Sequence, residues 1–110
     1  MASATDVEEA WMAGSAAVEA AVSGVTDKMV AFDCTRDENG YTCKTVLQPL
    51  DIVANFEKKV PREWINAEGN GIEQPFIDYV LPLIQGESQT PKENALPRFA
   101  KLKKVLTIDM

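Results

Sequence analysis

The first 24 residues of this 110-residue chain constrain its fold most, because they carry the pattern of one complete helix. Thr5 and Glu8 have the spacing of a capping box, and Gly24 stands where a C-terminal cap is expected. Apolar or small residues recur between them at helical spacing. These residues are Val7, Ala10, Trp11, Gly14, Ala17, Val18, Ala21 and Val22. Because small residues let another backbone approach closely, we predict a helix that packs against a neighbouring sheet or helix.

A β-hairpin is predicted next. Residues 28–34 include the continuous apolar run MVAF, which is typical of a strand buried on both faces. Asn39-Gly40 is a strong hairpin-turn signal, and residues 41–47 read as the returning strand. Cys34 and Cys43 flank this hairpin. In an intracellular chain they are expected to be reduced thiols, with a disulfide as the competing possibility.

Short elements are predicted after the hairpin. Pro49 should end the strand, and Asp51 is expected to cap a short helix that runs through Asn55. Residues 61–66 fit either one exposed helical turn or an irregular stretch. Gly69-Asn70-Gly71 forces a turn. Since no strand precedes it and no long helix follows with the required spacing, we interpret it as a turn and not as a phosphate-binding loop.

A second substantial helix is predicted over residues 72–84, with Pro75 in its first turn and Pro82 as a kink or an end. The polar composition that follows Gly86 divides the chain into a domain segment, residues 1–86, and a linker and C-terminal tail, residues 87–110. The tail is apolar and basic, which fits either docking on a partner surface or a solvated terminal arm.

The composition excludes several classes of function. The chain has no histidine, so Ser-His-Asp or Cys-His catalytic sites and histidine-rich zinc sites cannot form within it. Its net charge of −6 disfavours binding to nucleic acid. No apolar run is long enough for a membrane span, and acidic residues stand where a signal peptide would need basic ones. We therefore expect a cytoplasmic protein with neither nucleic-acid nor membrane partners.

No catalytic constellation is visible in the sequence. Ser15 lies inside an alanine-rich helix without the strand-to-helix turn of a hydrolase nucleophile, and Cys34 has no histidine to activate it. A phosphate-binding loop of the Gly-Lys-Ser/Thr type is also missing. The residues alone therefore assign no catalytic, cofactor-binding or metal-binding position.

Several segments, in this order and over nearly the whole chain, resemble the C-terminal region of 6-phosphofructokinases, and most closely the long bacterial branch that includes pyrophosphate-dependent enzymes. They are ASATDVEEA at residues 2–10, GSAAVEAAVSG at 14–24, KMV at 28–30, LDIVAN at 50–55, VPREWI at 60–65, FIDY at 76–79, PLIQG at 82–86 and LPRFA at 96–100.

The resemblance implies an α/β fragment of the phosphofructokinase fold: an N-terminal helix, a β-hairpin, short helices and a C-terminal tail. In this family, phosphate passes from ATP or pyrophosphate to fructose 6-phosphate with Mg²⁺. The family's Gly-Gly-Asp, Thr-Ile-Asp-Asn-Asp, Met-Gly-Arg and Gln-Arg motifs lie upstream of the matching region, so no site residue can be carried over. The implied partners are the remainder of the phosphofructokinase chain and further copies in a homo-oligomer.

The leading hypothesis is therefore a C-terminal fragment of a 6-phosphofructokinase that is inactive alone and structural in role. The alternative is a free-standing adaptor or regulatory domain derived from the same fold, and a small autonomous enzyme ranks third. A fragment should also leave apolar surface exposed on the first helix and on residues 29–32, because the surfaces that normally cover them would be absent.

Overall fold

The computed structural model describes residues 2–105 and shows a mixed α/β arrangement of one long helix, a long hairpin and several short elements. The α-helices are α1 (Ala4–Val22), α2 (Leu50–Val53) and α3 (Gln74–Val80), and two 3₁₀-helices span Arg62–Trp64 and Leu81–Ile84. The strands are β1 (Lys28–Asp37), β2 (Gly40–Pro49), β3 (Lys92–Glu93) and β4 (Leu96–Pro97). The predicted fold class and order of elements are confirmed, and the β3–β4 hairpin is an addition.

The N-cap of helix α1 lies two residues earlier than predicted. Ser3 is the N-cap, and its side-chain oxygen accepts a hydrogen bond from the backbone N–H of Asp6 at 3.1 Å. Thr5 lies inside the helix, and its hydroxyl donates instead to the carbonyl oxygen of Gln85 at 3.3 Å. The prediction of Thr5 as cap was wrong because Ser3 offers an equivalent hydroxyl that also contacts the later chain. Gly24 follows the helix with a φ of +85°, as predicted for its end.

The hairpin is confirmed, but its turn lies one residue earlier than predicted. Strands β1 and β2 pair antiparallel from Lys28 opposite Pro49 to Asp37 opposite Gly40, which leaves Glu38 and Asn39 as the turn residues. The Asp37 carboxylate accepts a hydrogen bond from the backbone N–H of Asn39 at 2.9 Å. Such side-chain contacts favour tight turns. Gly40, with a φ of +102°, opens the returning strand.

The apolar run of β1 is not buried on both faces. Met29 is 40% exposed and Phe32 is 45% exposed, while Val30 and Ala31 are only half-buried. The sheet has two strands, and among the described elements helix α1 packs against both of them while the short helix α2 contacts β2. Burial on both faces was therefore a wrong prediction for this chain, whereas the expected exposure of apolar surface on this run is confirmed.

The region after the hairpin forms shorter helices than predicted. Helix α2 ends at Val53, and its N-cap is Pro49, so Asp51 is not the capping residue. The segment after Pro61 is a single 3₁₀ turn. Helix α3 has a proline in its first turn as predicted, but α-helical geometry ends at Val80. A 3₁₀-helix follows because Pro82 lacks the N–H that would continue the α-helix.

The start of helix α1 is hydrogen-bonded to the loop after the second 3₁₀-helix. The backbone N–H of Ala4 donates to the carbonyl oxygen of Gly86 at 3.1 Å. Gly86 has a φ of +79°, and a Cβ added to it would lie 2.7 Å from the Cβ of Ala4. Glycine is therefore required here both by backbone conformation and by the close approach of the helix.

The predicted linker and tail are partly ordered. Strands β3 and β4 pair as a small hairpin, and the N–H of Arg98 donates to the carbonyl oxygen of Pro91 at 2.8 Å. Beyond it, Phe99 and Leu102 are exposed by 82% and 90%. The part of the tail prediction that concerns residues 106–110 lies outside the described residues, and the division at residue 86 stays a prediction.

The described chain is far more open than a domain of its size. None of residues 2–105 is buried, and the radius of gyration is 19.1 Å, whereas a compact domain of 100 residues has about 13 Å. The accessible surface is 9888 Å², compared with roughly 6,000 Å² for a compact protein of this mass. None of the helices in this part of the chain is both long and apolar enough to cross a membrane. The elements are therefore formed without a closed hydrophobic core.

Candidate functional site

The strongest concentration of reactive and charged groups lies in a cleft of about 470 Å³ beside helix α1 and the tip of the hairpin. Its lining residues are Asp6, Glu9, Phe32, Asp33, Cys34, Arg36, Tyr41, Lys58, Tyr79 and Leu83. A second cleft of about 490 Å³, at the start of helix α1, includes Val80, Leu83 and Ile84 and has no cysteine or tyrosine. We therefore take the first cleft as the candidate site.

Tyr41 joins three parts of this cleft. Its hydroxyl donates to the carboxylate of Glu9 on helix α1, and the same oxygen lies 3.4 Å from the sulfur of Cys34 on strand β1. Partial burial raises the pKa of Tyr41 well above its usual range, and the contacts with Cys34 and Glu9 raise it further. The phenol is consequently protonated at neutral pH and acts as a hydrogen-bond donor.

Two thiols meet beside Tyr41. Cys34 and Cys43 are direct partners across the hairpin, and their sulfur atoms are 2.8 Å apart. Both side chains are half-buried. Partial burial and the contact with Cys34 raise the pKa of Cys43 to about 11. A thiol with such a pKa carries little thiolate at neutral pH, and the thiolate is the nucleophilic form.

Arg36 connects the hairpin to helix α3. Its guanidinium carbon lies 5.1 Å from the ring centre of Tyr41 and 4.5 Å from that of Tyr79, so the cation lies against two aromatic rings. The guanidinium also donates to the backbone carbonyl oxygen of Tyr79 at 3.0 Å. The Tyr79 ring in turn lies 5.4 Å from Trp64, which is 6.3 Å from Phe76. Arg36 is therefore held in place by structural contacts.

The polar groups of the cleft mainly form contacts that hold neighbouring elements together. The Tyr41 hydroxyl bonds to Glu9, Arg36 is held against two rings, and Cys43 is protonated at neutral pH. Within residues 2–105, no three Cys, Asp or Glu side chains come together as a set of metal ligands.

The sequence did not identify this cluster, apart from naming its two cysteines. The hairpin register was the available signal, because cross-strand pairing places Arg36 opposite Tyr41 and Cys34 opposite Cys43. A turn centred on Asn39-Gly40 would shift each of these pairs by two residues. No local sequence pattern predicts the contact between Arg36 and Tyr79, because 43 positions separate the two residues.

Comparison with known proteins identifies a consistent set of relatives, although no protein-family profile matches the chain. The chain is 45% identical over 104 residues to a pyrophosphate–fructose 6-phosphate 1-phosphotransferase of Halomonas elongata, covering 94% of this chain and 25% of that protein. A protein of the same name from Methylococcus capsulatus is 41% identical over 102 residues, which is 93% of this chain and 24% of the relative.

Two solved structures agree with the sequence comparison. The pyrophosphate-dependent phosphofructokinase of Marinobacter aquaeolei matches with a TM-score of 0.86 and 42% identity over 98% of this chain and 27% of that chain. The corresponding enzyme of Nitrosospira multiformis gives a TM-score of 0.82 and 40% identity over 94% of this chain and 26% of that one. The resemblance to 6-phosphofructokinases is thus confirmed, and the chain matches, in sequence and in fold, about a quarter of a pyrophosphate-dependent phosphofructokinase.

Proposed function

We propose that this chain is the C-terminal segment of a pyrophosphate-dependent 6-phosphofructokinase and that its role is to support the catalytic parts of that enzyme. The observation that carries the proposal is the unequal coverage of the matches. Nearly all of this chain aligns with the relatives, but it spans only about a quarter of their length. The names of the relatives favour pyrophosphate over ATP as the phosphate donor.

The surface of the chain supports a role as part of a larger molecule. Its accessible area exceeds that of a compact protein of equal mass by about 3,900 Å². Large apolar side chains contribute to this surface, including Trp11 at 77% exposure and Val22 at 84%. Obligate interfaces bury about 2,000–5,000 Å² in total and are hydrophobic. The remainder of the phosphofructokinase chain is the partner that would cover this surface.

In this proposal, the remainder of the phosphofructokinase chain carries out substrate binding and phosphoryl transfer. Fructose 6-phosphate, pyrophosphate and Mg²⁺ would be held there, since the polar groups of the cleft in this chain are engaged in structural contacts. We place the assembled enzyme in the cytoplasm as a homo-oligomer, as the resemblance implies.

A coupled assay tests whether the chain is inactive alone. The purified 110-residue chain is assayed with fructose 6-phosphate, Mg²⁺ and either pyrophosphate or ATP, and we expect no turnover with either donor. The reading frame around the gene is then expressed in full, once intact and once without this segment. We expect pyrophosphate-dependent turnover from the intact protein only.

Two results would contradict the proposal. One is turnover by the 110-residue chain that follows the protein through successive purification steps. The other is a stop codon directly upstream of Met1 together with a separate ribosome-binding site, which would favour the free-standing adaptor. Turnover with ATP and not with pyrophosphate in the intact protein would overturn the assignment of the donor alone.

A further inference from the structure

The two cysteines of the chain occupy a geometry suited to bridging. Cys34 and Cys43 are direct partners in the β1–β2 register, and their sulfur atoms are 2.8 Å apart. Directly opposite residues of an antiparallel pair have Cα atoms about 4.5–5.5 Å apart. Disulfides span Cα separations of about 4.4–6.8 Å. The register therefore places both residues within the range of Cα separations that a disulfide spans.

Cross-strand contacts of the same register lie on both sides of the cysteine pair. The side-chain oxygens of Thr35 and Thr42 are 2.5 Å apart, and the Lys44 nitrogen lies 3.2 Å from the Asp33 carboxylate. Both pairs directly adjoin the cysteine pair in the register. Because successive side chains of a strand alternate between faces, these contacts lie on the face opposite the cysteines and leave the thiols facing each other.

A small oxidant has a route to the pair. Cys34 lines the 470 Å³ cleft, and both cysteine side chains are only half-buried. We propose that Cys34 and Cys43 form a redox-active dithiol that closes into a cross-strand disulfide by exchange with a low-molecular-weight disulfide such as oxidised glutathione. The inference concerns the hairpin alone and does not depend on the proposed enzymatic role.

The exchange proceeds in two steps. One cysteine loses its proton, and its sulfur attacks a sulfur of oxidised glutathione, forming a mixed disulfide and releasing one glutathione thiolate. The second cysteine loses its proton and attacks the cysteine sulfur of the mixed disulfide, which releases the second glutathione thiolate. The two cysteines are oxidised by two electrons in total, oxidised glutathione is reduced by two, and the two protons end on the two glutathione molecules.

The test is an equilibrium titration on the protein encoded by the full reading frame. The protein is equilibrated in glutathione buffers of stepped redox ratio, quenched in acid, alkylated and digested with trypsin. Cleavage after Lys28, Arg36 and Lys44 releases residues 29–36 and 37–44 as separate peptides. The disulfide joins these peptides into one species, which dithiothreitol separates, so mass spectrometry reports the bridged fraction directly.

A matched variant separates the effect of the hairpin register from the mere closeness of the two cysteines in the sequence. The double substitution T42C/C43S moves one thiol by a single residue and thereby to the opposite face of the strand. We expect the equilibrium constant for bridging to be at least tenfold larger for the native pair than for this variant. In concentrated urea, where the hairpin is lost, the two constants should agree within a factor of about two, because loop-closure entropy depends only weakly on loop length.

Each other outcome overturns the proposal. Native and shifted pairs whose constants differ by less than tenfold in buffer would show that the hairpin does not favour the bridge. Accumulation of mixed disulfides with glutathione, or of bridges between chains, would show that the second step does not occur. Absence of the linked peptides at every redox ratio would show that the pair is not accessible to this oxidant.

Discussion

At the scale of single residues, Tyr41 contributes to several contacts at once. Its hydroxyl bonds to Glu9, the same oxygen lies 3.4 Å from the Cys34 sulfur, and its ring faces Arg36. Each contact is modest, since a hydrogen bond contributes about 1 kcal/mol to stability. Because all of them converge on one half-buried side chain, the position of the hairpin tip relative to helix α1 depends on this residue.

The raised pKa of Cys43 gives a direct prediction of its reactivity. Partial burial is its main cause, and it persists in a Cys34→Ser variant, where Cys43 is the single cysteine. We expect the rate of alkylation by iodoacetamide to rise with pH with a midpoint above 9, since burial stabilises the neutral thiol. In urea, the midpoint should return to about 8.5, the value of an exposed cysteine. Equal midpoints in buffer and in urea would contradict this account.

Gly86 and Gly69 form a natural pair for measuring the contact at the start of helix α1. Both have positive φ angles, +79° and +77°, but a Cβ on Gly86 would lie 2.7 Å from the Cβ of Ala4, whereas nothing lies within 4 Å of one on Gly69. We expect Gly86→Ala to lower the free energy of unfolding by more than Gly69→Ala, which carries only the left-handed backbone cost of about 1–2 kcal/mol.

Urea denaturation of the two glycine variants, in the protein encoded by the full reading frame, measures the difference. We expect Gly86→Ala to lower the free energy of unfolding by at least about 1 kcal/mol more than Gly69→Ala does. This is the lower end of the range for overpacked sites. Equal losses would mean that helix α1 moves away from the loop without cost. In that case the hydrogen bond from Ala4 to the Gly86 carbonyl oxygen would not constrain the helix.

At the scale of elements, Arg36 links the hairpin to helix α3. Two aromatic rings flank its guanidinium, and the backbone of Tyr79 accepts its hydrogen bond. We expect Arg36→Met to lower the free energy of unfolding by about 1–2 kcal/mol, since cation–π contacts contribute about 0.5–2 kcal/mol and the hydrogen bond is lost as well. Amide hydrogen exchange at the hairpin tip should accelerate.

Lys44→Met is the matched control for that substitution. Lys44 also lies on the hairpin and also loses one positive charge, but its partner Asp33 is exposed, with side-chain exposures of 72% and 51% for the two. Exposed ion pairs contribute about 0–1 kcal/mol. We expect little change in stability or exchange. A loss comparable with that of Arg36→Met would show that charge, and not docking against the rings, accounts for the effect.

The elements also show which features could be predicted from the sequence. Helix α1, the hairpin and the proline-limited helix α3 follow from local patterns, and all three are present. The turn was misplaced because Asn39-Gly40 is a strong signal, whereas the Asp37 side chain stabilises a turn one residue earlier. The cap was misplaced because Ser3 and Thr5 both offer a hydroxyl. At the turn a local side-chain contact decided between near-equal alternatives, whereas the Ser3 hydroxyl also donates to the carbonyl oxygen of Leu83, a contact with the later chain.

The candidate site depends on contacts that local patterns do not encode. Cys34 and Cys43 were visible as residues that flank a hairpin, but their direct pairing requires the register. Arg36 and Tyr79 meet only because the chain returns helix α3 to the hairpin tip. The burial of the 29–32 run was predicted from its continuous apolar sequence, and it fails in this chain because burial depends on surfaces that the described residues do not supply.

At the scale of the whole molecule, the chain has secondary structure without a closed core. A radius of gyration of 19.1 Å and the absence of buried residues between positions 2 and 105 leave its apolar side chains to be covered by something else. Many exposed large apolar side chains are typical of interfaces or of association-prone chains. The two tryptophans differ in their exposure. Trp11 is 77% exposed, whereas Trp64 packs against Phe76 and Tyr79.

Hydroxyl-radical footprinting of the two tryptophans tests whether the rest of a longer protein covers the exposed face of helix α1. In the 110-residue chain alone, at low concentration, we expect Trp11 to be oxidised at least about five times faster than Trp64, in keeping with its exposure. In the protein encoded by the full reading frame, Trp11 should become as protected as Trp64, because burying so large an apolar side chain contributes about 1.5–3 kcal/mol. Trp64 serves as the internal control, since its local partners come from this chain. Persistent exposure of Trp11 in the longer protein would show that this face of helix α1 is not where the remainder of the chain packs.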